Sequence, residues 1–221
     1  MLANRFATQA ARLIATLLGS GFVFVLPQLA MARTIITFDV PGCVSTVPSA
    51  INRAGVVTGS CSSSFGSHSP GFLRKADGSF IVFFVPNSNY ASPHAINDKG
   101  EVVGEYQDTN QVTHAFIRSS TGTITTFDGP AANVTQAYSV NASGLVAGTY
   151  SDSLGIHSFI RDPQGILTAF DVPGSNNFTV ALGTNGSGQI AGYFEDSTGA
   201  FHGFIRDAAG NFTTFDAPGA T

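Results

Sequence analysis

Residues 137–171 read AYSVNASGLVAGTYSDSLGIHSFIRDPQGILTAFD, and this stretch decides the fold. Ala137–Asn141 has the make-up of a short strand and Asn141–Gly144 that of a turn. Leu145–Tyr150, His157–Arg161 and Leu167–Asp171 follow as further strands, separated by turns at Asp152–Gly155 and Asp162–Gly165. Asp or Asn first, Pro second and Gly fourth are the preferences of a type I turn, and the Gly supplies the left-handed residue that closes a bulged hairpin. Three tight turns in succession predict a four-stranded antiparallel meander. Adjacent apolar residues such as Phe159-Ile160 and Val102-Val103 point to opposite sides of a strand, so both faces of this sheet must be buried.

Outward from this stretch the same phrases recur. Thr-Phe-Asp stands at 37–39, 126–128 and 214–216, with the variants Ala169-Phe170-Asp171 and Val82-Phe83-Phe84. The central Phe residues 38, 83, 127, 170 and 215 are spaced 45, 44, 43 and 45. Asn52, Asn97, Asn141 and Asn185 keep this period, as do Arg74, Arg118, Arg161 and Arg206. A period in the 40s, filled with short strands and glycine turns, is the signature of a β-propeller or a related array. A β-solenoid stacks parallel coils and would not place a hairpin turn every ten residues or so. The expected fold is all-β: a β-propeller-like array of about four four-stranded antiparallel blades, with a 44-residue repeat, plus a lone N-terminal strand at Thr34–Phe38. The blades fall near 48–86, 92–130, 135–173 and 179–217, with a longer link from each fourth strand to the next first strand, as from Asp171 to about Ala181. The last blade has its own outer strand at Asn211–Phe215, so the lone strand is not needed to complete it. A closed four-blade ring with a spare strand and a chain lacking a further blade both stay open.

Residues 1–32 read as a secretory signal peptide: Arg5 and Arg12, an apolar run from Leu13 to Leu29, and Ala30-Met31-Ala32 as a small-x-small cleavage site. Residues 33–221 then form one domain, expected to be secreted to the extracellular space, periplasm or cell surface. Net charge is −4 and 11% of residues are charged, without a basic run after Arg33, which argues against a nucleic-acid partner. No second apolar stretch approaches the roughly 18–20 residues of a membrane span. Cys43 and Cys61 lie in the first repeat, and after export they are either a disulfide or two unpaired small apolar residues.

The recurring His114, His157 and His202 invite a metal reading, but one His per blade leaves them too far apart for the roughly 2 Å bonds of zinc. Hairpin arithmetic suggests another partner. With Arg161 opposite Ile166, Phe170 lies opposite His157 and Asp171 one step along; His114 meets Asp128 and His202 meets Asp216 in the same way. In the first repeat both members are missing, with Pro70 for His and Phe84 for Asp, as a local His–Asp hydrogen bond requires. The repeated Arg at the end of the third strand reads as a solvated strand end. The Asp-Ser-x-Gly turns at 152–155 and 196–199 offer one carboxylate each, where calcium takes six to eight oxygens. There is no Gly-x-Ser-x-Gly elbow, and no residue set breaks the repeat as an asymmetric active site must. No catalytic residue, cofactor or metal site is therefore expected. Two function classes follow: a non-enzymatic binding or surface-interaction module for an extracellular or cell-surface ligand, glycan or protein, and a secreted hydrolase or lyase acting on polysaccharide. The second lacks an evident carboxylate pair and any Trp, although Tyr90, Tyr106, Tyr138, Tyr150 and Tyr193 could stack on sugars.

His114-Ala115-Phe116-Ile117-Arg118, with Ile-Asn-x-x-Gly and Thr-Phe-Asp-x-Pro, resembles the HAF family of bacterial extracellular repeats. His157-Ser158-Phe159 and His202-Gly203-Phe204 vary the middle residue, and Pro70-Gly71-Phe72 departs from the pattern. The resemblance covers essentially the whole chain after residue 32. It implies a secreted or surface-associated bacterial propeller, with no general activity and no set of functional residues.

Overall fold

The computed structural model describes residues 35–63 and 68–219, so the signal-peptide stretch at 1–32 lies outside the described residues. The chain divides into residues 1–37 and a unit spanning 38–221. Among the described residues, sixteen strands of the second unit form four antiparallel meanders. The first comprises β1 (Cys43–Ile51), β2 (Val57–Ser63), β3 (Gly71–Arg74) and β4 (Phe80–Phe83); the second comprises β5 (Ser88–Ile96), β6 (Val102–Asp108), β7 (Thr113–Arg118) and β8 (Ile124–Phe127). The third comprises β9 (Val134–Val140), β10 (Val146–Ser151), β11 (Ile156–Arg161) and β12 (Leu167–Phe170). The fourth comprises β13 (Ser175–Thr184), β14 (Ile190–Asp196), β15 (Phe201–Arg206) and β16 (Phe212–Phe215). Among the described residues the protein is all-β, and its sheets do not close on one another. Among the described residues, no helix is long and apolar enough to cross a membrane.

Three expectations need correction. The lone N-terminal strand does not form, because residues 35–40 carry no strand. Phe38 and Val40 instead pack on Cys61 and Phe72 of the first meander. The links between meanders are shorter than expected, since β13 already begins at Ser175. Finally, the hairpin register is one residue off: Arg161 pairs with Leu167, and Ser158 with Phe170. The cause is the bulged turn. Gly165 takes φ 95°, its N–H donates to the Asp162 carbonyl at 3.0 Å, and Asp162 N–H in turn bonds the Ile166 carbonyl. Asp162 and Ile166 therefore close the hairpin, one step further out than the sequence arithmetic placed it.

Each first strand carries a bulge three residues before its Asn. The ladder skips Ser49, His94, Tyr138 and Leu182 in turn. A glycine of the second strand faces each bulge, and at Gly148 a Cβ would sit 2.1 Å from the Gln136 carbonyl oxygen. No side chain fits there.

The cores lie between meanders rather than within them. One joins Leu73, Phe83 and Val85 to Ala91, Ile96, Val102, Tyr106 and Phe116. The next two repeat this arrangement around Phe159 and Phe204. In each, the Phe of the Thr-Phe-Asp phrase packs on the third-strand Phe of the following repeat: Phe83 on Phe116, Phe127 on Phe159 and Phe170 on Phe204, at 5.7–6.3 Å between centroids. The repeated Arg covers the same ring. Arg74, Arg118, Arg161 and Arg206 stand 4.9–5.1 Å over Phe38, Phe83, Phe127 and Phe170. The solvated-end reading of these arginines is thus wrong, and burial lowers the pKa of Arg118. A desolvated guanidinium–aromatic contact contributes on the order of 1–2 kcal/mol. A ladder of side-chain amides adds to it: Asn52 Nδ2 donates to the Asn97 carbonyl, Asn97 to Asn141, and Asn141 to Asn185, at 2.9–3.1 Å.

Candidate functional site

Two polar constellations stand out, one repeated and one unique. The repeated one is built on the second residue of the third strand, which the corrected register sets directly across from the Asp of the Thr-Phe-Asp phrase. The structure brings His114 Nδ1 to 2.8 Å from Asp128, His157 Nδ1 to 2.8 Å from Asp171, and His202 Nδ1 to 2.7 Å from Asp216. It adds a second carboxylate that the sequence reading did not connect to the ring. Asp108, Asp152 and Asp196 of the preceding turn approach Nε2 at 3.7, 3.4 and 3.2 Å. Each imidazole also faces the ring of Tyr106, Tyr150 or Phe194, at a centroid distance of 5.2 Å in all three.

The electrostatics follow from this geometry. Hydrogen bonds that His202 donates to Asp216, then to Asp196, raise its pKa by favouring the imidazolium. The turn carboxylates are held low. Asp196 lies well below the ordinary range, chiefly through the Thr198 hydroxyl, while Asp108 and Asp152 are lowered first by the backbone N–H groups of Val112 and Leu154. A cleft of about 370 Å³, lined by Pro86, Asn87, Tyr106, Asp108 and His114 among others, opens on the second of these corners. In the first meander Cys61 stands where the others carry the aromatic ring, and it is bonded to Cys43 across a Cα–Cα distance of 5.8 Å. Among the described residues, no three His, Cys, Asp or Glu side chains are placed to hold a metal ion.

The unique constellation was missed in the sequence. It sits on the first two strands of the second meander and the first strand of the third. His94, turned out of β5 by the bulge, places Nε2 3.8 Å from Glu105 Oε2. Gln136 donates its amide to the same carboxylate oxygen, and Tyr138, the bulged residue of β9, donates its hydroxyl to Gln136 Oε1 at 2.8 Å. The His94 ring meets Tyr138 edge-on at 5.2 Å. Burial lowers the His94 pKa against an opposing pull from Glu105, and burial raises that of the Tyr138 phenol. His94 Nε2 is buried without a hydrogen-bond partner. Such a group gathers one imidazole, one carboxylate, one amide and one phenol.

A signal for it was present. Counting back three from the repeated Asn gives Ser49, His94, Tyr138 and Leu182; counting forward eight gives Ser60, Glu105, Thr149 and Tyr193; counting back five gives Val47, Ser92, Gln136 and Val180. These columns vary while their neighbours repeat. The expectation that no residue set breaks the repeat therefore fails at these positions.

No protein-family model matches the chain. No curated protein matches it either. Among solved structures, a streptogramin B lyase aligns over 77% of this chain and 54% of its own, at 14% identity and a TM-score of 0.49. The chain thus spans about half the length of that protein. A virginiamycin B lyase from Staphylococcus aureus aligns over 77% of this chain and 70% of its own, at 13% identity and a TM-score of 0.39. The Aleuria aurantia lectin AAL, in complex with Fucalpha1-6GlcNAc, aligns over 80% and 79% at 13% identity and a TM-score of 0.32.

Proposed function

We propose that this protein is a secreted, HAF-type binding module, four blades of a propeller-like array, that holds an extracellular or cell-surface ligand on its inner strands without turning it over. The observation that carries this reading is the His94–Glu105–Gln136–Tyr138 group, a single polar cluster at positions where the neighbouring repeats differ. A rigid repeat presents variable side chains from fixed backbone positions, and the bulges aim them outward from the ladder. The mixture of donors and acceptors suits hydroxyl- or amide-bearing ligands, as glycans and peptides are. Binding to a glycan and peptide panel should fall about tenfold, about 1.4 kcal/mol, in His94→Ala and in Glu105→Gln, with the circular dichroism spectrum unchanged. Ligand binding that both substitutions leave intact would sink the proposal.

A second reading, hydrolase or lyase, draws on the placement of His94 beside Glu105, where burial lowers the imidazole pKa and so favours the form a general base needs. It expects turnover on polysaccharides that disappears in His94→Ala while folding is retained. A binder expects no turnover in either protein.

A further inference from the structure

The Asp–His–Asp corner recurs in three meanders, but three positions around it do not. A left-handed residue follows the Pro of each link between meanders: Asn87 at φ 58°, Ala131 at 50° and Gly174 at 88°. The ring that faces the imidazole belongs to Tyr106, Tyr150 or Phe194. Two residues before the Asp of each hydrogen-bonded pair stand Thr126, Ala169 and Thr214. Of these three corners, the second meander's alone joins an amide, a phenol and a hydroxyl at the varying positions. Asn87, Tyr106 and Thr126 all line the cleft of about 370 Å³ that opens there, with Asp108, His114, Pro86 and Ile124. Small-molecule sites span about 300–1,000 Å³.

The cleft is acidic. Asp108 Oδ2 stands 3.7 Å from His114 Nε2, and Asp128 lies 2.8 Å from Nδ1 on the other side of the ring. Two carboxylates around one imidazole leave this corner net negative whether or not the ring is protonated. Among the described residues, no Lys or Arg lines the cleft. Asp108 Oδ1 accepts the backbone N–H groups of Asn110 and Val112, while Oδ2, 3.2 Å from the Asn110 amide, keeps room for another donor. We propose that this corner binds an amino sugar, with its ammonium on Asp108 and its hydroxyls on Asn87, Thr126 and Tyr106. A cation balances the excess charge, and the exposed amide and hydroxyl both donate and accept, as sugar hydroxyls require. Pro86 and Ile124 offer apolar surface to the C–H face of a sugar ring. An alkylamine such as a lysine side chain would leave the three polar groups unmet. The site shares no side chain with the His94 cluster.

An amide NMR titration of the full chain with glucosamine and with glucose, at a pH where the amine is protonated, tests this. Glucosamine should shift the Asn87 and Thr126 signals and bind about tenfold more tightly than glucose. Asn87→Ala with Thr126→Ala should weaken it about tenfold with an unchanged circular dichroism spectrum, because the third meander folds with Ala131 and Ala169 at these places. The reverse graft, Ala131→Asn with Ala169→Thr, should bring glucosamine-dependent shifts to β11 and β12. No binding at about 10 mM glucosamine would overturn the proposal, and so would equal affinity for glucose or a graft without new shifts. Shifts confined to His94, Glu105, Gln136 and Tyr138 would move the ligand to the inner cluster and overturn it as well. Lysine amide binding as tightly as glucosamine would assign the corner to a peptide amine instead.

Discussion

The first and third meanders fix the same corner by different chemistry. In the third, Tyr150 packs on His157, and His157 bonds Asp171, so the second strand is held to the third and the third to the chain beyond the fourth. In the first, Cys61 takes the place of the ring, its backbone N–H bonds the Pro70 carbonyl at 3.0 Å, and its sulfur is joined to Cys43. With no His at Pro70, a carboxylate at Phe84 would have no partner, and the sequence supplies none there. One corner is held by a covalent bond, indifferent to pH and sensitive to reductant. The others are held by charge-assisted hydrogen bonds, with the opposite sensitivities.

Breaking the covalent corner should have the largest effect. Cys61→Ser, or reduction of the unaltered protein, should lower stability by about 3 kcal/mol, the loop entropy expected for a closure of this length. Denaturant titrations with and without reductant measure it, and coincident curves would mean that the bond does not hold the first meander. Asp171→Ala should lower stability by about 1–3 kcal/mol by leaving the buried His157 imidazole without its acceptor. Adding His157→Ala should cost less than the sum of the two single changes, whereas strict additivity would remove the pairing.

The smallest effect is in pH. Asp196 is depressed, so its contribution to stability is present above the unfolded carboxylate pKa of about 3.9 and lost as pH falls through the folded value. His202 is raised, so its contribution is complete below about 6.5 and lost as pH rises through the folded value. Amide exchange in β15 and β16 should therefore be slowest between about pH 4 and 6.5, once corrected for intrinsic rates, while β3 and β4, whose turn holds the lowered Asp77 but no His–Asp pair, should change on the acid side only. Identical pH dependence in the two regions would contradict the contrast between the corners.

Much of this architecture could be read from the turns. Asn or Asp with Gly three residues later marks the hairpins of each repeat, and the apolar pairs beside them require two buried faces. The register slipped by one because the Gly165 bulge lengthens the turn without any sign in the strand residues themselves. The arginines were misread for a different reason: their partner rings lie in the preceding repeat, and every repeat carries both, so no joint absence draws attention to the pair. The joint absence of His and Asp from the first repeat, where Pro70 and Phe84 stand instead, did expose the His–Asp partnership. The inner cluster escaped because attention to recurring residues passes over His94, Glu105 and Gln136, whose meaning lies in not recurring.

With cores placed between neighbours, a single meander cut from the chain would keep its ladders and lose the apolar mass that stabilises them. Stability then belongs to junctions rather than to units, as in a one-dimensional lattice. Residues 38–42, too short to be a repeat, act in this lattice as a cap, because Phe38 and Val40 provide the first meander with a junction on its outer side. Among the described residues, nothing equivalent covers Phe215. A junction left open in this way is where such a lattice comes apart first, so β16 should exchange its amides sooner than β4, whose meander the cap covers.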